Sequence, residues 1–365
     1  MKKRILKFSS WLEKENIDFA VLTSSENVFY FTNYLSDPHE RLLALIFYPD
    51  GECLLICPEM ETGAARKAGY DKQIIGYDDT EDPWEKIKKA TGKKLSSVRR
   101  IAVEKSHMNI ERFEILRKLY PSAHFVRAEE KLNELRMIKD EDELKKLKKA
   151  CEIADFAIQA GINELKEGTS ELAIVAAIEY ELKKKGIHQM SFPTTVLTGP
   201  KAAMPHGTPD LTEIRKGEFV LFDLGVVYEG YCSDITRTIA FGDVGKEHSE
   251  IYETVKTAQM AAIQTAKPGV TCERLDETAR NIIRDAGYGP YFTHRLGHGL
   301  GINIHEYPSV TGKNPLCLRE GMVFTVEPGI YIPGKTGVRI EDVVAVTKDG
   351  VEVLTNFPKE LQIVT

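Results

Sequence analysis

The chain has 365 residues with 55 acidic and 49 basic side chains, a formal net charge of −6, and 42% hydrophobic and 28% charged content. This composition excludes a disordered or collagenous chain, and the slight acidic excess supplies no electrostatic reason to bind nucleic acid or an anionic membrane. The length exceeds the roughly 250–300 residues at which single cores stop growing, so two domains are expected.

The N-terminal stretch MKKRILKFSSWLEKENID starts basic and soon turns polar, leaving no room for a secretory apolar segment. Ile5, Phe8 and Leu12 recur at helical spacing, which predicts an amphipathic helix and a cytoplasmic address. From there to residue 127, β-like runs (FAVLT, LLALIFYP, CLLICP, RIAVEK, AHFVRA) alternate with the helix-like METGAARKAG and NIERFEILRKLYP. That alternation predicts a small α/β domain over residues 1–130. The apolar run 42–48 falls far short of the roughly 20 residues that span a bilayer. Six cysteines show no paired metal-type spacing beyond Cys53 and Cys57 inside an apolar strand, and read as reduced, mostly buried thiols. The charged stretch RAEEKLNELRMIKDEDE then leads into a long helix, with acids at its start and lysines later, as the helix dipole favours. Residues 131–365 are expected to form the second domain.

That second part contains an internal repeat. Ile214-Arg-Lys-Gly-Glu-Phe-Val-Leu-Phe-Asp223 aligns with Leu318-Arg-Glu-Gly-Met-Val-Phe-Thr-Val-Glu327, an offset of 104 (327 minus 223). Gly168-Thr-Ser and Gly269-Val-Thr stand at matching helix starts, and Ile174, Ile178, Leu182 and Gly186 echo Leu275, Ala279, Ile283 and Gly287. Two copies of a helix-helix-strand-hairpin unit, related by a pseudo-twofold, would bring Asp223 face to face with Glu327.

After Asp223 two β runs flank a Glu229-Gly230 turn, which predicts a hairpin that sets Asp223 opposite Thr236 with Asp234 on the same face. The second copy follows Glu327 with Glu341 on a returning strand. Four acids on apolar strands, ionised and unpaired, would each cost on the order of several kcal/mol, so a cation is required. Arg215, Arg237, Arg319 and Arg339 offer one source, as buried salt bridges. A metal centre is the other, favoured by the symmetry and by His298 in HRLGHGLGINIHEYP, where Gly297, Gly299 and Gly301 would let a metal approach the backbone. No strand-loop-helix unit supports a dinucleotide loop there, and His305-Glu306 is not a zincin motif because position 309 is Ser. Two Asp, one His and two Glu suit two hard or borderline divalent ions such as manganese or cobalt better than zinc. Ions about 3.5–4 Å apart activate a bridging water and polarise a carbonyl or phosphoryl group, so hydrolysis is the expected chemistry.

These motifs, FDLG with Asp223, SDIT with Asp234, GHGLG with His298, TVEPGIY with Glu327 and VRIED with Glu341, resemble those of the proline-specific metallopeptidases. That family comprises the Xaa-Pro dipeptidases (prolidases) and aminopeptidase P, cousins of methionine aminopeptidase and creatinase. The resemblance covers nearly the whole chain. It implies an α/β N-terminal domain followed by an α+β pita-bread domain with an internal pseudo-twofold duplication. It also implies two divalent ions, Mn2+ first and Co2+ as the alternative, held by Asp223, Asp234, His298, Glu327 and Glu341. A metal-bridging hydroxide would attack the scissile carbonyl, with Glu327 carrying the proton to the departing nitrogen.

By the same resemblance, His206 in MPHGTPD and His305 in IHEYP would contact substrate and stabilise the oxyanion, against the alternative of structural histidines. Arg339 would hold the substrate carboxylate or backbone, or else orient a ligand as a salt bridge. Phe192 would wall the proline ring or simply fill core, and Thr236 would hydrogen-bond a ligand carboxylate. In related dipeptidases the region matching Ser36–Arg41 crosses a dimer, so His39 and Arg41 would limit substrate length; an exposed turn at Asp37-Pro38 is the other reading.

The expected protein is a cytoplasmic, homodimeric, di-metal Xaa-Pro dipeptidase with no nucleic-acid or membrane partner. Its rivals are an aminopeptidase P acting on longer N-terminal Xaa-Pro peptides, a metal-free hydrolase of the creatinase kind, and a non-catalytic peptide-binding module on the same fold. The last two should lack some of the five ligand residues, and all five are present.

Overall fold

A computed structural model describes residues 2–365, and the chain divides into two compact units between Arg136 and Met137. The first unit runs α1 (Lys2–Lys14), β1 (Phe19–Leu22), α2 (Ser25–Thr32), β2 (Ala44–Phe47), β3 (Cys53–Pro58), α3 (Thr62–Lys67), β4 (Gln73–Tyr77), α4 (Pro83–Gly92), β5 (Arg100–Val103), α5 (Ile110–Leu119), β6 (His124–Arg127) and α6 (Glu129–Met137). Its six strands form one mixed sheet, ordered β4-β3-β2-β1-β5-β6. The apolar stripe of α1 does what its spacing predicts, since Ile5, Phe8 and Leu12 are buried. Helix α2 is not among the elements read from the sequence. Its run Asn27–Thr32 is buried throughout and so carries no helical period, and it is started instead by a Ser24 side-chain cap and the buried Glu104 carboxylate, which accepts the Ser24 N–H at 3.0 Å.

The second unit runs α7 (Glu141–Asn163), α8 (Glu171–Lys184), β7 (Thr195–Thr198), β8 (Glu218–Leu224), β9 (Val227–Tyr228), β10 (Tyr231–Cys232), β11 (Ile235–Phe241), α9 (Gly245–Thr265), α10 (Cys272–Asp285), β12 (Gly297–Gly299), β13 (Glu306–Val310), β14 (Val323–Val326), β15 (Gly329–Ile332), β16 (Thr336–Arg339), β17 (Asp342–Val346), β18 (Val351–Val353) and β19 (Ile363–Val364). The long helix α7 starts at a complete capping box between Asp140 and Glu143.

The internal repeat is visible as repeated geometry. Ser170 and Thr271 cap the starts of α8 and α10. The preceding glycines, Gly168 and Gly269, have φ of 82° and 87°, and their N–H groups bond the carbonyls of Ile214 and Leu318, which are the two residues the alignment equates. In the first copy α7 and α8 bury Ile158, Ile174 and Ile178 against Val220, Phe222 and Ile239 of a four-stranded sheet ordered β19-β11-β8-β7. In the second, α9 and α10 bury Val255, Leu275 and Ile283 against Phe324, Val326 and Val344 of a five-stranded sheet ordered β13-β12-β14-β17-β18. The antiparallel pairs β8–β11 and β14–β17 are equivalent. Five of the six cysteines are buried and all are free thiols, with Cys317 exposed. Among the described residues no helix is long and apolar enough to cross a membrane.

Candidate metal centre

The hairpin after β8 turns through Glu229 and Gly230, both at positive φ (47° and 81°), the two-residue turn its sequence predicts. Its register puts Asp223 directly opposite Thr236. Asp234 immediately precedes β11, Glu341 immediately precedes β17 and Glu327 immediately follows β14. These ladder ends open on a cavity of about 680 Å³, within the second unit, lined among others by Phe192, His206, Asp223, Asp234, His298, His305, Glu327, Arg339 and Glu341.

Three of these residues, Asp234, His298 and Glu341, are buried and bring one donor atom each within 4.8 Å of the others. The His298 Nδ1 faces the Gly299 carbonyl at 3.1 Å, an acceptor, so Nδ1 carries the ring proton and Nε2 is bare. That bare nitrogen points at Glu327 Oε1 (3.3 Å) and Asp234 Oδ2 (3.6 Å). Burial, followed by the neighbouring His305, pushes the His298 pKa down to about 3, so protonation of the ring does not supply the missing positive charge. The Oε1 atom of Glu341 is buried without a hydrogen-bond partner.

The carboxylates respond as a cluster short of cations. Burial, then repulsion from Glu341, Asp223 and Glu327, raises the Asp234 pKa well above the usual carboxylate range, and burial with repulsion from Glu327 and Asp223 does the same for Glu341. Glu327 is pushed up to about 7 by burial, against the favourable field of Arg339. An orphaned carboxylate oxygen, a bare imidazole nitrogen and mutually repelling acids are the donor set a divalent ion fits.

Of the four arginines weighed from the sequence, Arg339 pairs with a cavity acid, Nη2 donating to Asp223 Oδ2 at 2.5 Å. Its Nε donates to the Thr236 hydroxyl at 3.0 Å and its Nη1 to the Tyr331 hydroxyl at 2.7 Å. Arg237 instead binds Asp342, both side chains fully buried, and donates to the carbonyls of Thr236 and Glu341 behind the site. The three glycines flanking His298 serve a different purpose from the one their spacing suggests. A Cβ on Gly297 would come within 1.9 Å of the Thr325 carbonyl oxygen and one on Gly299 within 2.5 Å of that of Tyr307, so these two admit neighbouring strands, while one on Gly301 would meet the Glu306 carboxylate at 2.8 Å. The His298 N–H is in turn fixed by the Thr325 hydroxyl, which also donates to Glu327.

The His305 ring meets the His298 ring edge-on, centroids 4.3 Å apart. His206 is exposed and Phe192 half-buried on the cavity wall. His39 and Arg41 lie in the first unit, where the exposed His39 has a positive φ of 53° and Arg41 is tied to Asp79 at 2.9 Å.

Comparison with known proteins identifies the family. The pattern described as Metallopeptidase family M24 matches residues 145–348, and that of the Creatinase/Prolidase N-terminal domain matches residues 4–138. The chain belongs to metallopeptidase family M24. It is 45% identical over 359 residues to a protein named Xaa-Pro dipeptidase from Lactobacillus delbrueckii subsp. lactis, with 98% of each chain covered. It superimposes with a TM-score of 0.91 on the prolidase from Pyrococcus horikoshii OT3, at 37% identity over 98% of this chain and 99% of that one. The X-Pro aminopeptidase from Thermotoga maritima MSB8 follows at a TM-score of 0.88 and 32% identity, covering 96% of this chain and 99% of that one. The M24 chain is therefore a metallopeptidase with the α/β plus duplicated pita-bread architecture, and its family implies divalent ions.

One cavity-lining residue of this M24 chain, His294, and its partner Tyr331 escape a reading of the sequence. His294 Nδ1 faces the Arg295 carbonyl at 2.7 Å, so its bare Nε2 accepts from the Tyr331 hydroxyl at 2.9 Å. Tyr331 thereby links His294 to Arg339 and, through it, to Asp223. A lone histidine four residues before His298 and a tyrosine in an apolar strand carry no spacing signal; only their place inside motifs already singled out could have drawn notice.

Proposed function

We propose that the protein is a cytoplasmic, homodimeric Xaa-Pro dipeptidase that hydrolyses the bond before proline. The observation that carries the reading is the convergence of Asp234, His298 and Glu341, with an unpartnered Glu341 oxygen, beside Glu327 and Asp223 in one cavity. Asp223, Asp234, His298, Glu327 and Glu341 would hold two divalent ions, manganese first and cobalt second. When bound, such ions lower the pKa of water to make the nucleophile and polarise the carbonyl under attack.

The chain's own groups do the rest. Glu327, on the cavity wall with Asp223, Asp234 and Glu341, is suited to take a proton from the attacking water and pass it to the departing proline nitrogen. His206 and His305, on the cavity wall, donate to the substrate carbonyl as it gains negative charge. Phe192 packs on the proline ring. The hydrogen bonds of Arg339 favour orientation of Asp223 over direct capture of the substrate carboxylate, because each end of its guanidinium already has a partner. His39 and Arg41 are assigned a limit on substrate length from a second subunit; unchanged kinetics of the double alanine variant removes that role.

The test is release of amino acids from a Xaa-Pro dipeptide and a Xaa-Pro-Xaa tripeptide, with added manganese and with a chelator. Manganese-dependent cleavage of the dipeptide alone supports the proposal. Cleavage chiefly of the tripeptide replaces it with an aminopeptidase P, the activity named for the Thermotoga maritima structure. Failure on both, with metal bound, sinks it in favour of another amide substrate or a binding module.

A further inference from the structure

We propose that Lys139 and Glu306 form a positioning pair that sets His305 for the reaction, an inference resting on the substrate-facing role given to His305 above. The Lys139 ammonium lies 3.1 Å from Glu306 Oε2, with 1% and 6% of the two side chains exposed. Glu306 directly follows His305, and its other oxygen accepts the Asn303 N–H at 3.0 Å. One end of the carboxylate thus closes the turn leading into His305, and the other end is held by the lysine.

Both anchors are themselves fixed. The Lys139 N–H donates to the Gly321 carbonyl at 2.8 Å, and its neighbour Ile138 bridges Met322. On the far side of the loop the Gly301 carbonyl accepts the Cys232 N–H at 2.7 Å, two residues before Asp234. A Cβ on Gly301 would come within 2.8 Å of Glu306 Oε2, so the glycine makes room for the carboxylate. Held this way, the His305 ring stands edge-on to His298.

A buried ion pair is a weak source of stability, because desolvation of the two charges offsets their attraction; its effect here is to select one loop geometry. The first copy of the repeat does the same for the loop of His206. Glu171, its side chain fully buried, accepts the N–H groups of Thr198 (2.9 Å) and Asp210 (3.0 Å) and the Lys201 ammonium (2.5 Å), bracketing His206 between its anchors. Neither pair is among the residues lining the cavity, so each acts through its histidine.

The experiment compares the parent, Glu306→Gln, His305→Ala and the double variant, all metal-loaded, on whichever Xaa-Pro peptide the parent cleaves, reading kcat, KM, bound metal and thermal midpoint. Glu306→Gln is expected to lower kcat by roughly 10- to 100-fold, the scale of a misplaced group, with KM and metal content retained. In the His305→Ala background it should lower kcat no further. An unchanged kcat in Glu306→Gln, or equal losses with and without His305, overturns the positioning role alone. A parental kcat in His305→Ala overturns the role of His305 and the inference with it, and so does a parent inactive on both peptides. Should Glu306→Gln not fold, Lys139→Gln is read by the same cycle, and Lys139→Arg, which keeps the cation, should retain kcat.

Discussion

Thr236 ties Asp223 to Glu341. Its hydroxyl donates to Glu341 Oε2 at 2.6 Å, lies 3.3 Å from Asp223 Oδ1 across the β8–β11 ladder, and accepts from Arg339 Nε. One small side chain thus orients an acid from each half of the duplication.

Replacing that hydroxyl by a methyl group, Thr236→Val, leaves the shape of the buried site and removes the bond to Glu341. Metal affinity is expected to fall by roughly 10- to 100-fold, as for other partners of ligand side chains, with the fold intact. Direct titration of the metal-free protein with manganese checks this, and parental affinity would contradict the orienting role.

Asp234→Asn should lose at least one bound ion per chain and nearly all turnover, because a neutral amide is a poorer ligand for a divalent cation. Metal content after gel filtration, set beside activity, provides the check. A variant holding two ions at full rate would refute the site.

His305→Ala should keep its metal yet lower kcat by about 10²-fold, the usual consequence of losing one oxyanion donor. A loss of bound metal instead would mean that His305 is a ligand.

Because Asp234 and Glu341 are raised well above the usual carboxylate range and Glu327 to about 7, protein stripped of metal should hold protons on this cluster near neutrality that an ion must displace. Metal binding should therefore release protons and tighten as pH rises through 7. Calorimetry at one pH in buffers of different ionisation enthalpy measures the release; identical heats would argue against it.

Burial, with Arg339 adding repulsion, lowers the His294 pKa from 6.5 to about 4. The neutral ring is favoured on folding, so its contribution is complete above pH 6.5 and declines toward pH 4, where the unfolded chain takes up a proton that the folded chain refuses. The window amounts to about 3 kcal/mol. His294→Gln, which can still accept from Tyr331, should show a smaller stability loss between those pH values in urea titrations of chelated protein. An equal loss would place the acid sensitivity elsewhere.

The duplication and the acids it equates were legible because they are written in spacing: the turn residues Glu229 and Gly230 determine the register, and the register determines that Asp223 meets Thr236. What spacing does not encode was missed or misread. Helix α2 is buried on every side, so its sequence has no stripe. Gly297 and Gly299 serve strand packing, which depends on Thr325 and Tyr307 from elsewhere in the chain. The Arg339–Asp223 pair was one of two open readings, and only the three-dimensional partners of the guanidinium choose between them.

Asp223 and Asp234 come from the first copy of the repeated unit, while His298, Glu327 and Glu341 come from the second. Neither copy holds a complete donor set, so a fragment carrying one of them cannot be a reduced version of the enzyme. Mixing the two fragments becomes a complementation assay in which recovered turnover reports the docking of one half on the other.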